Sequence, residues 1–353
     1  MFTKTLLDWY FEHKRDLPWR GEQDPYKIWV SEIILQQTRI EQGWAYYLRF
    51  IERFPDIRSL AKADEEDVLH LWQGLGYYSR ARNMHYAAKQ ILRDHQGRFP
   101  KVYEQIIKLK GVGDYTAAAV ASIAFRLPYP AVDGNVLRVV ARIFGFTEDI
   151  MLEQTRKKIR QKCQQLMEGF PPGDFNQAMM EFGAIHCKPQ KPQCEDCPFT
   201  NYCYAFLHQQ VDKIPLKINK VKIKTRYFHY FIFSENEQLI IQQRTKKDIW
   251  QHLYQYPLIE TEQFSLFPTN ELCAHWKLEP VSGKFITERK HQLTHQLLII
   301  RFYFVDQFPK EIDPSYLVIP VEQCRSYPFP AAIGELPNEI FELLKELLEQ
   351  NKR

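Results

Sequence analysis

The sequence predicts an all-α N-terminal domain followed by an α+β C-terminal domain, and three observations support this fold class. The chain has 353 residues, more than one compact core usually holds. Apolar residues recur with the period of a helix up to about residue 187, and strand-like segments follow from about residue 227. We therefore expect domains at 1–208 and 227–353, joined by a linker at 209–226.

Helices are indicated in the first domain by apolar spacing and by capping residues. One apolar face carries Phe2, Leu6, Trp9 and Tyr10, and another carries Val136, Val139, Val140 and Ile143. Asp24 and Pro25 open "DPYKIWVSEIILQQTRI", which predicts an N-cap followed by a proline at the first helical position.

The linker is predicted to be basic and solvated. Asp212 alone opposes six basic residues, which are Lys213, Lys217, Lys220, Lys222, Lys224 and Arg226. Beyond the linker, "RYFHYFIF", "QLIIQQR" and "LLIIRFYFVD" predict strands, and "NEIFELLKELLEQ" near the C-terminus has the period of a helix. These elements predict the α+β class for the second domain.

Composition narrows the class of protein. The formal net charge of +4 suits a polyanionic partner, although many enzymes share this balance. Asp8, Glu12 and Asp16 interrupt the apolar core of any secretion signal, and no later segment is long and uncharged enough to span a bilayer. We expect a cytosolic protein with no membrane association, in which the seven cysteines form no structural disulfides.

Four cysteines lie close together in "HCKPQKPQCEDCPFTNYC", with the spacing C-x6-C-x2-C-x5-C. They are Cys187, Cys194, Cys197 and Cys203. A compact loop could direct four thiolates at one centre, and both zinc and an iron–sulfur cluster accept four such ligands. The spacing leaves both open, while the isolated Cys163, Cys273 and Cys324 are expected to have no metal role.

A glycine turn and two carboxylates are the other candidates for chemistry. Gly111, Val112 and Gly113 predict a tight connection between two helices. The free N–H groups of the second helix could bind a phosphate oxygen, or the glycines could be needed only for packing of the hairpin. Glu32 follows Trp29 and Val30 and precedes Ile33, Ile34 and Leu35, so burial should keep it protonated unless Arg39 pairs with it. Asp133 begins a helix, where free backbone N–H groups favour the ionised carboxylate. This side chain could be a catalyst or a simple helix cap.

The order of these features resembles a known family. "LKGVGDYTA", "VDGNVLRV" and the cysteine spacing resemble the helix-hairpin-helix DNA glycosylases of the endonuclease III superfamily. "LPWR", "SEIILQQT" and "LWQGLGYYSRARN" are similar to the MutY-type adenine DNA glycosylases, and "DIWQHLYQYPLIE" resembles their Nudix-like domain. The resemblance implies a helix-hairpin-helix domain with one [4Fe–4S] cluster on the four cysteines, then an α+β Nudix-like domain.

The resemblance also implies a monofunctional glycosylase. Glu32 matches the catalytic acid that protonates adenine, and Asp133 matches the carboxylate that stabilises the sugar cation. Tyr115 stands where endonuclease III-type enzymes carry a Schiff-base lysine, and a phenol cannot form an imine. The expected partner is double-stranded DNA with adenine opposite 8-oxoguanine or guanine, bound by a monomer.

DNA contacts follow from the same matches. They are expected at Arg20, Gln36, Gln37, Thr38, Tyr77, Gly111, Val112, Gly113 and Asn135. Gln37 and Tyr77 are predicted to enter the DNA double helix, and Tyr78 is predicted to pack in the core. In the second domain, which lacks the R-E-x-x-E-E helix of Nudix hydrolases, the 8-oxoguanine contacts are expected at His291, Leu293, Thr294 and His295.

Two other functions fit part of the sequence. A thymine–guanine mismatch glycosylase can share the cluster, Asp133 and a hairpin tyrosine, but Glu32 and the second domain argue against it. A non-catalytic iron–sulfur DNA-binding or redox-signalling protein would leave the paired carboxylates unexplained. The cysteine loop is expected to shape a DNA-contacting surface with Lys188 and Lys191 rather than to transfer electrons.

Overall fold

A computed structural model describes residues 1–218, 223–264, 274, 276, 284–305 and 308–334. The chain divides into two compact units. Unit 1 contains Met1–Ala63 and Asn83–Asn219, and unit 2 contains Asp64–Arg82 and Lys220–Arg353. The expected linker residues Lys220 and Lys222, the isolated Cys273 and the predicted helix "NEIFELLKELLEQ" lie outside the described residues. None of the described helices has the length and apolar character needed to cross a bilayer.

Unit 1 is helical, which confirms the predicted class. In chain order the helices are α1 (Phe2–His13), α2 (Pro25–Ile34), α3 (Ile40–Arg53), α4 (Ile57–Lys62), α5 (Glu65–Leu71), α6 (Ser79–Asp94), α7 (Tyr103–Ile106), α8 (Asp114–Phe125), α9 (Gly134–Phe144), α10 (Glu153–Met167), α11 (Pro172–Glu181) and α12 (Tyr204–Leu207). Helix α5 belongs to unit 2, and the boundary between the units falls inside α6. A π-helical turn, Phe182–His186, continues α11.

The predicted caps and apolar faces of unit 1 are confirmed. The Asp24 carboxylate accepts a hydrogen bond from the Tyr26 N–H at 2.9 Å, and Pro25 is the first residue of α2. The predicted faces of α1 and α9 are buried in one core with residues of α10 and α11. The period of the apolar residues therefore identified the sides of these helices that pack inward.

Unit 2 is built on a mixed sheet. Its described strands are β1 (Lys224–Glu235), β2 (Gln238–Gln243), β3 (Tyr254–Gln255), β4 (Leu258–Thr261), β5 (Lys284–Gln292), β6 (Gln296–Val305) and β7 (Tyr316–Pro320). Strand β1 is central: it runs parallel to β6 and antiparallel to β2 and β4. Strand β5 pairs with β6, and β2 also pairs with β3 and β7. The three predicted strands correspond to β1, β2 and β6.

Strand β1 is buried on both faces. Phe228, Tyr230 and Ile232 pack into one apolar cluster, and Phe231 and Phe233 pack into another. A strand covered on both sides needs a continuous apolar run rather than alternation. This explains why "RYFHYFIF" lacks the polar spacing of a half-exposed strand.

Segment 64–82 is held within unit 2 by polar contacts. The Tyr254 hydroxyl donates to Glu66 Oε1 at 2.7 Å, and the Arg82 guanidinium donates to the Gln251 carbonyl at 3.0 Å. His252 Nδ1 lies 2.5 Å from Glu65 Oε1. The pairings of Glu65 and Glu66 could not be predicted from the sequence, because 187 and 188 residues separate them from their partners.

Arg226 corrects one expectation. The sequence assigned it to the solvated linker, but it lies in β1 with its guanidinium between two carboxylates. It donates to Glu260 Oε1 at 2.6 Å and to Asp248 at 2.9 and 2.8 Å. The hydrogen bonds to Glu260 and Asp248 raise the pKa of Arg226 above its usual value. The linker prediction was wrong for this residue because strand pairing continues to Lys224.

Candidate active site

A pocket of about 670 Å³ in unit 1 brings the predicted catalytic residues together. Glu32, Tyr115 and Asp133 line it, from α2, the first turn of α8 and the start of α9. Five of the predicted DNA contacts also line this pocket: Arg20, Gln36, Gln37, Thr38 and Asn135. Gln36 reaches α8, where its amide donates to the Thr116 hydroxyl at 3.1 Å.

Glu32 is buried, as its apolar neighbours predict. Burial raises the pKa of its carboxyl, and the Tyr115 hydrogen bond and the Arg20 charge oppose the rise only in part. The Tyr115 hydroxyl donates to Glu32 Oε2 at 2.6 Å. No Glu32–Arg39 ion pair forms among the described side chains. The surroundings thus favour the neutral form of the carboxyl, and a phenol fixes one of its oxygens.

Asp133 is the N-cap of α9. Its Oδ1 accepts from the Val136 N–H at 2.8 Å, and its Oδ2 accepts from the Asn135 amide at 2.7 Å. Burial nevertheless raises the pKa of Asp133, although these hydrogen bonds and the Arg138 charge favour the ionised form. The sequence anticipated the stabilising amides but missed the desolvation of this side chain, because burial depends on the packing of other helices.

Tyr115 contacts both sides of the pocket. Its hydroxyl lies 2.6 Å from Glu32 and 3.0 Å from the Met180 sulfur. Burial, followed by the charges of Glu32 and Asp133, raises the pKa of Tyr115 well above its usual value. The phenol therefore remains a hydrogen-bond donor throughout the neutral pH range.

Glu181, a charged residue that also lines the pocket, was not predicted from the sequence. Glu181, on α11, accepts from Arg15 Nε at 2.7 Å and from Arg20 at 2.6 Å. Arg20 also donates to Gln177 Oε1 at 2.6 Å, so its guanidinium is fixed at the pocket wall. One feature of the sequence could have indicated this site. Gln177 and Glu181 are four residues apart in α11, with only apolar residues between them, so they lie on the same face of the helix.

The glycine turn joins α7 to α8. Gly111 has φ +77°, and a Cβ there would lie 2.5 Å from the Cβ of Asn83, so only glycine fits without strain. Val112 is buried, while Gly113 is exposed and caps α8 without a side-chain hydrogen bond. Any ligand would therefore meet backbone N–H groups at this turn rather than the valine side chain.

Gln37 and Tyr77, the residues expected to enter the DNA helix, share an unusual backbone. Gln37 has φ +57° and Tyr77 has φ +48°, which are left-handed values that non-glycine residues rarely adopt. Both side chains are exposed, whereas Tyr78 is 5% exposed and packs in the core. The core prediction for Tyr78 is confirmed by this burial.

The four cysteines of the loop form one group of thiols. Burial, together with the charges of Cys187, Cys203 and Cys194, raises the pKa of Cys197 to about 12. No three His, Cys, Asp or Glu side chains of the described residues are placed to hold a single metal ion. Cys163 and Cys324 are buried and form no disulfide.

Helix α9 connects the pocket to this loop. Arg138 donates to Asn135 Oδ1 at 2.9 Å and to the Cys187 carbonyl at 2.9 Å, and Arg142 donates to the Lys188 carbonyl at 2.6 Å. The same Asn135 side chain binds Asp133. Correct folding of the cysteine loop therefore helps to orient the carboxylate at the other end of α9.

The predicted recognition residues lie at the end of β5 and in the β5–β6 turn. The Leu293 N–H donates to the Gln296 carbonyl at 2.8 Å and closes the turn. The Thr294 hydroxyl is hydrogen-bonded to the Tyr77 hydroxyl, and the His295 carbonyl accepts from the Lys224 N–H at 3.0 Å. Leu293 packs against the core, so the turn presents one hydroxyl and two imidazoles around an apolar anchor.

Family models define the class of protein. The model of the HhH-GPD superfamily base excision DNA repair proteins matches residues 30–168. The iron-sulfur binding domain of endonuclease III matches residues 187–203, and the NUDIX domain matches residues 229–338. The chain is therefore a helix-hairpin-helix DNA glycosylase with a NUDIX domain, and it carries one [4Fe–4S] cluster in the segment that contains the four cysteines.

Relatives identify the family within this class. The chain is 33% identical over 317 residues to the adenine DNA glycosylase of Buchnera aphidicola from Acyrthosiphon pisum, covering 88% of this chain and 89% of that protein. It is 37% identical to the enzyme of Buchnera aphidicola from Schizaphis graminum, covering 74% and 76%. The mouse adenine DNA glycosylase is 42% identical over 218 residues, which cover 59% of this chain and 42% of that protein. The chain belongs to the adenine DNA glycosylase family.

Solved structures confirm the fold of the helical part. A thermostable thymine-DNA glycosylase is 30% identical with a TM-score of 0.54, covering 59% of this chain and 95% of its own. A non-covalent endonuclease III–DNA complex has a TM-score of 0.52 at 22% identity, with 59% and 94% coverage. The second likeness supports the fold alone.

Proposed function

We propose that the protein is a monofunctional glycosylase that hydrolyses the bond between adenine and deoxyribose in double-stranded DNA, where adenine lies opposite 8-oxoguanine or guanine. It would act as a monomer on DNA in the cytoplasm, with Cys187, Cys194, Cys197 and Cys203 as the ligands of its cluster. The observation that carries the proposal is the buried Glu32 carboxyl, held by Tyr115 in the same pocket as Asp133. Breaking this bond requires a proton for the departing base and an anion for the sugar.

Glu32 is the proton donor in this proposal. Its carboxyl gives a proton to adenine N7 while the bond between C1′ and N9 breaks, and the bonding electrons leave with the base. The Tyr115 hydrogen bond occupies Oε2 and supports the carboxylate that forms. That carboxylate then takes a proton from a water molecule, whose oxygen attacks C1′, and the acid is restored.

Asp133 is the anion. Two N–H donors fix its carboxylate at the N-terminus of α9, where it can stabilise positive charge on the sugar or bond to C1′ transiently. Burial raises the pKa of Asp133, so its ionised form depends on the hydrogen bonds from Val136 and Asn135 and on the Arg138 charge.

The absence of an amine explains why the reaction would stop at the abasic site. Tyr115 presents a phenol whose raised pKa keeps it protonated, and a phenol cannot form an imine with the sugar. Strand cleavage through a Schiff base therefore has no nucleophile at this position. We infer that breaks appear only after alkali is added.

Recognition of the mispair is assigned to both units. In unit 1, the open amides of the glycine turn would bind the DNA backbone, and Gln37 would fill the space that the flipped adenine leaves. In unit 2, Tyr77 would brace the opposite base, and the Thr294 hydroxyl would meet its polar edge.

A thymine mismatch glycosylase is the alternative that the helical similarity supports. Thymine has no N7, so a buried acid positioned for a purine would lack its proton acceptor. Adenine therefore accounts for the raised pKa of Glu32 better than thymine does.

The experiment is single-turnover excision from duplexes with adenine opposite 8-oxoguanine, adenine opposite guanine, and thymine opposite guanine, each with and without alkali. We expect alkali-dependent breaks at adenine only, fastest opposite 8-oxoguanine. Glu32→Gln should lower the rate about 10³-fold, and Glu52→Gln, at an exposed residue of α3, should leave it unchanged. Excision of thymine, or breaks without alkali as fast as base release, would contradict the proposal.

A further inference from the structure

One ion pair beside the glycine turn takes no part in the proposed reaction. The Arg160 guanidinium, on α10, donates to Asp114 Oδ2 at 3.3 Å. Asp114 is the first residue of α8 and directly follows Gly113. Both side chains are open to solvent, with 64% of the Asp114 side chain and 41% of the Arg160 side chain exposed. Two opposite charges therefore stand at the start of α8, where a ligand can reach them.

Asp114 places a negative charge where the DNA backbone would bind. The N–H groups that open α8 receive no side-chain cap, because Gly113 has no side chain. A phosphate oxygen binds such N–H groups, and the Asp114 carboxylate stands at the same end of the helix. Repulsion between two unit charges about 4 Å apart in water changes an affinity about fivefold. Asp114 is therefore expected to oppose the DNA that the turn holds.

Arg160 compensates this charge. Within the described part of the chain, the Asp114 carboxylate accepts a hydrogen bond from Arg160 and from no N–H group of α8. The ion pair thus neutralises the carboxylate and leaves the N–H groups at the start of the helix free for a ligand. The two residues are 46 positions apart in the sequence, so only the packing of the helices brings them together.

Two stacked tyrosines border the ion pair. The rings of Tyr103 and Tyr129 have centroids 4.0 Å apart and an angle of 9° between them. Both line a cleft of about 70 Å³, and Asp114 and Arg160 line the same cleft. This volume has room for about two water molecules and is too small for a nucleotide. We therefore assign the cleft to the ion pair and not to a ligand of its own.

We propose that the Asp114–Arg160 pair sets the strength with which the glycine turn binds the DNA backbone. Asp114 lowers the affinity for DNA. Arg160 is a positioning residue that acts through Asp114, because it neutralises the carboxylate and keeps it bound on the side of α10. The ligand is a phosphate group of double-stranded DNA, and its place at the turn rests on the proposed function.

A double-mutant cycle tests how Arg160 acts. The measurement is equilibrium binding of a duplex with adenine opposite 8-oxoguanine by the full-length, cluster-containing Glu32→Gln protein, whose low excision rate leaves the duplex intact. Asp114→Asn should tighten binding about two- to fivefold, and Arg160→Gln, which uncovers the carboxylate, should weaken it about fivefold. In the Asp114→Asn background, Arg160→Gln should change the affinity less than about twofold.

Lys158→Gln is the matched control. Lys158 lies on the same helix and pairs with Glu148 at 2.9 Å, so the variant also removes one positive charge and one exposed ion pair. It should leave the affinity unchanged, because neither of these residues adjoins the glycine turn. Arg160→Lys, which keeps the charge, should restore most of the binding that Arg160→Gln loses. Melting temperatures establish that each variant is folded.

Salt dependence separates the proposal from a direct contact between Arg160 and DNA. If Arg160 itself bound a phosphate, Arg160→Gln would reduce the slope of log K against log[salt] by about 0.9 in both backgrounds. We expect the slope in the Asp114→Asn background to stay the same, because no carboxylate remains for Arg160 to neutralise. Equal weakening in both backgrounds, or an unchanged affinity in every folded variant, would overturn the proposal.

The proposed function can fail separately. If the wild-type protein releases no adenine but the cycle shows coupling between Asp114 and Arg160, the role of the ion pair stands and the proposed reaction is wrong. If adenine is released normally and no variant changes the affinity, only the role of the ion pair is overturned.

Discussion

Each of the two units contains a carboxyl with a shifted pKa, and the two shifts have opposite directions. In unit 1, burial raises the pKa of Glu32, and its described hydrogen-bond partner is a neutral phenol. In unit 2, burial also acts on Asp248, but hydrogen bonds from Arg226 and the nearby Arg244 charge bring its pKa below the usual value. Burial therefore does not determine the role of a carboxyl by itself. A neutral partner leaves an acid that can give up a proton, and cationic partners leave a structural anion.

After the loss predicted above for Glu32→Gln, the largest effect on the rate is expected for Asp133→Asn. Asparagine caps a helix as well as aspartate does, so α9 should keep its first turn, but the charge that stabilises the sugar cation is lost. We expect the single-turnover rate of adenine release to fall about 10²- to 10³-fold, with a melting temperature close to that of the wild type. If the melting temperature and the rate of adenine release fell together, Asp133 would be mainly a helix cap.

Asp248→Asn should change stability. Arg226 and Arg244 are nearly buried, and an amide cannot compensate their charges. We expect the free energy of unfolding at pH 7 to fall by about 2–3 kcal/mol, measured by urea denaturation. Glu262→Gln, at an exposed residue of the same unit, is the matched control.

The effect of Asp248→Asn should also depend on pH. Because the folded pKa of Asp248 is lowered, its ionised form stabilises the fold above the unfolded pKa of about 3.9, and this contribution is lost as the pH falls through the folded pKa. The difference between wild type and variant should therefore shrink in acid. A constant difference from pH 7 to pH 3 would mean that packing, not charge, explains the loss.

Glu32→Gln should have a smaller effect on stability than Asp248→Asn, and it should stabilise the protein rather than destabilise it. The raised pKa of Glu32 means that the protonated carboxyl fits the fold best, so stability is full below the unfolded pKa of about 4.3 and declines as the pH rises. Glutamine keeps the shape without the charge. We expect the melting temperature at pH 7 to rise, and the gain to vanish near pH 4.

Much of unit 1 could be predicted from local patterns. The α1 and α9 faces, the Asp24 cap and the Gly111 turn each depend on residues within a few positions of one another. The pairing of Tyr115 with Glu32 was not predicted, because 83 residues separate them and only the packing of α8 on α2 brings them together. The same limit hid Glu181, whose partners Arg15 and Arg20 lie at the other end of the domain in sequence.

The second unit was less predictable for a physical reason. Its strands were visible as apolar runs, but a parallel pairing such as β1 with β6 depends on contacts across about 70 residues. Arg226 is an example. The basic composition of the segment around it suggested a solvated linker, but strand pairing places it between Asp248 and Glu260.

The most direct test of the account is the pH dependence of single-turnover adenine release by the wild type and Tyr115→Phe. Protonated Glu32 is required, so the rate should fall as the pH rises through its pKa. The Tyr115 hydrogen bond favours the ionised form and lowers that pKa. Its removal should raise the pKa further and move the decline to higher pH, with the maximal rate reduced by about tenfold or less. A decline at unchanged or lower pH would contradict the assignment of Glu32 as the acid that Tyr115 controls.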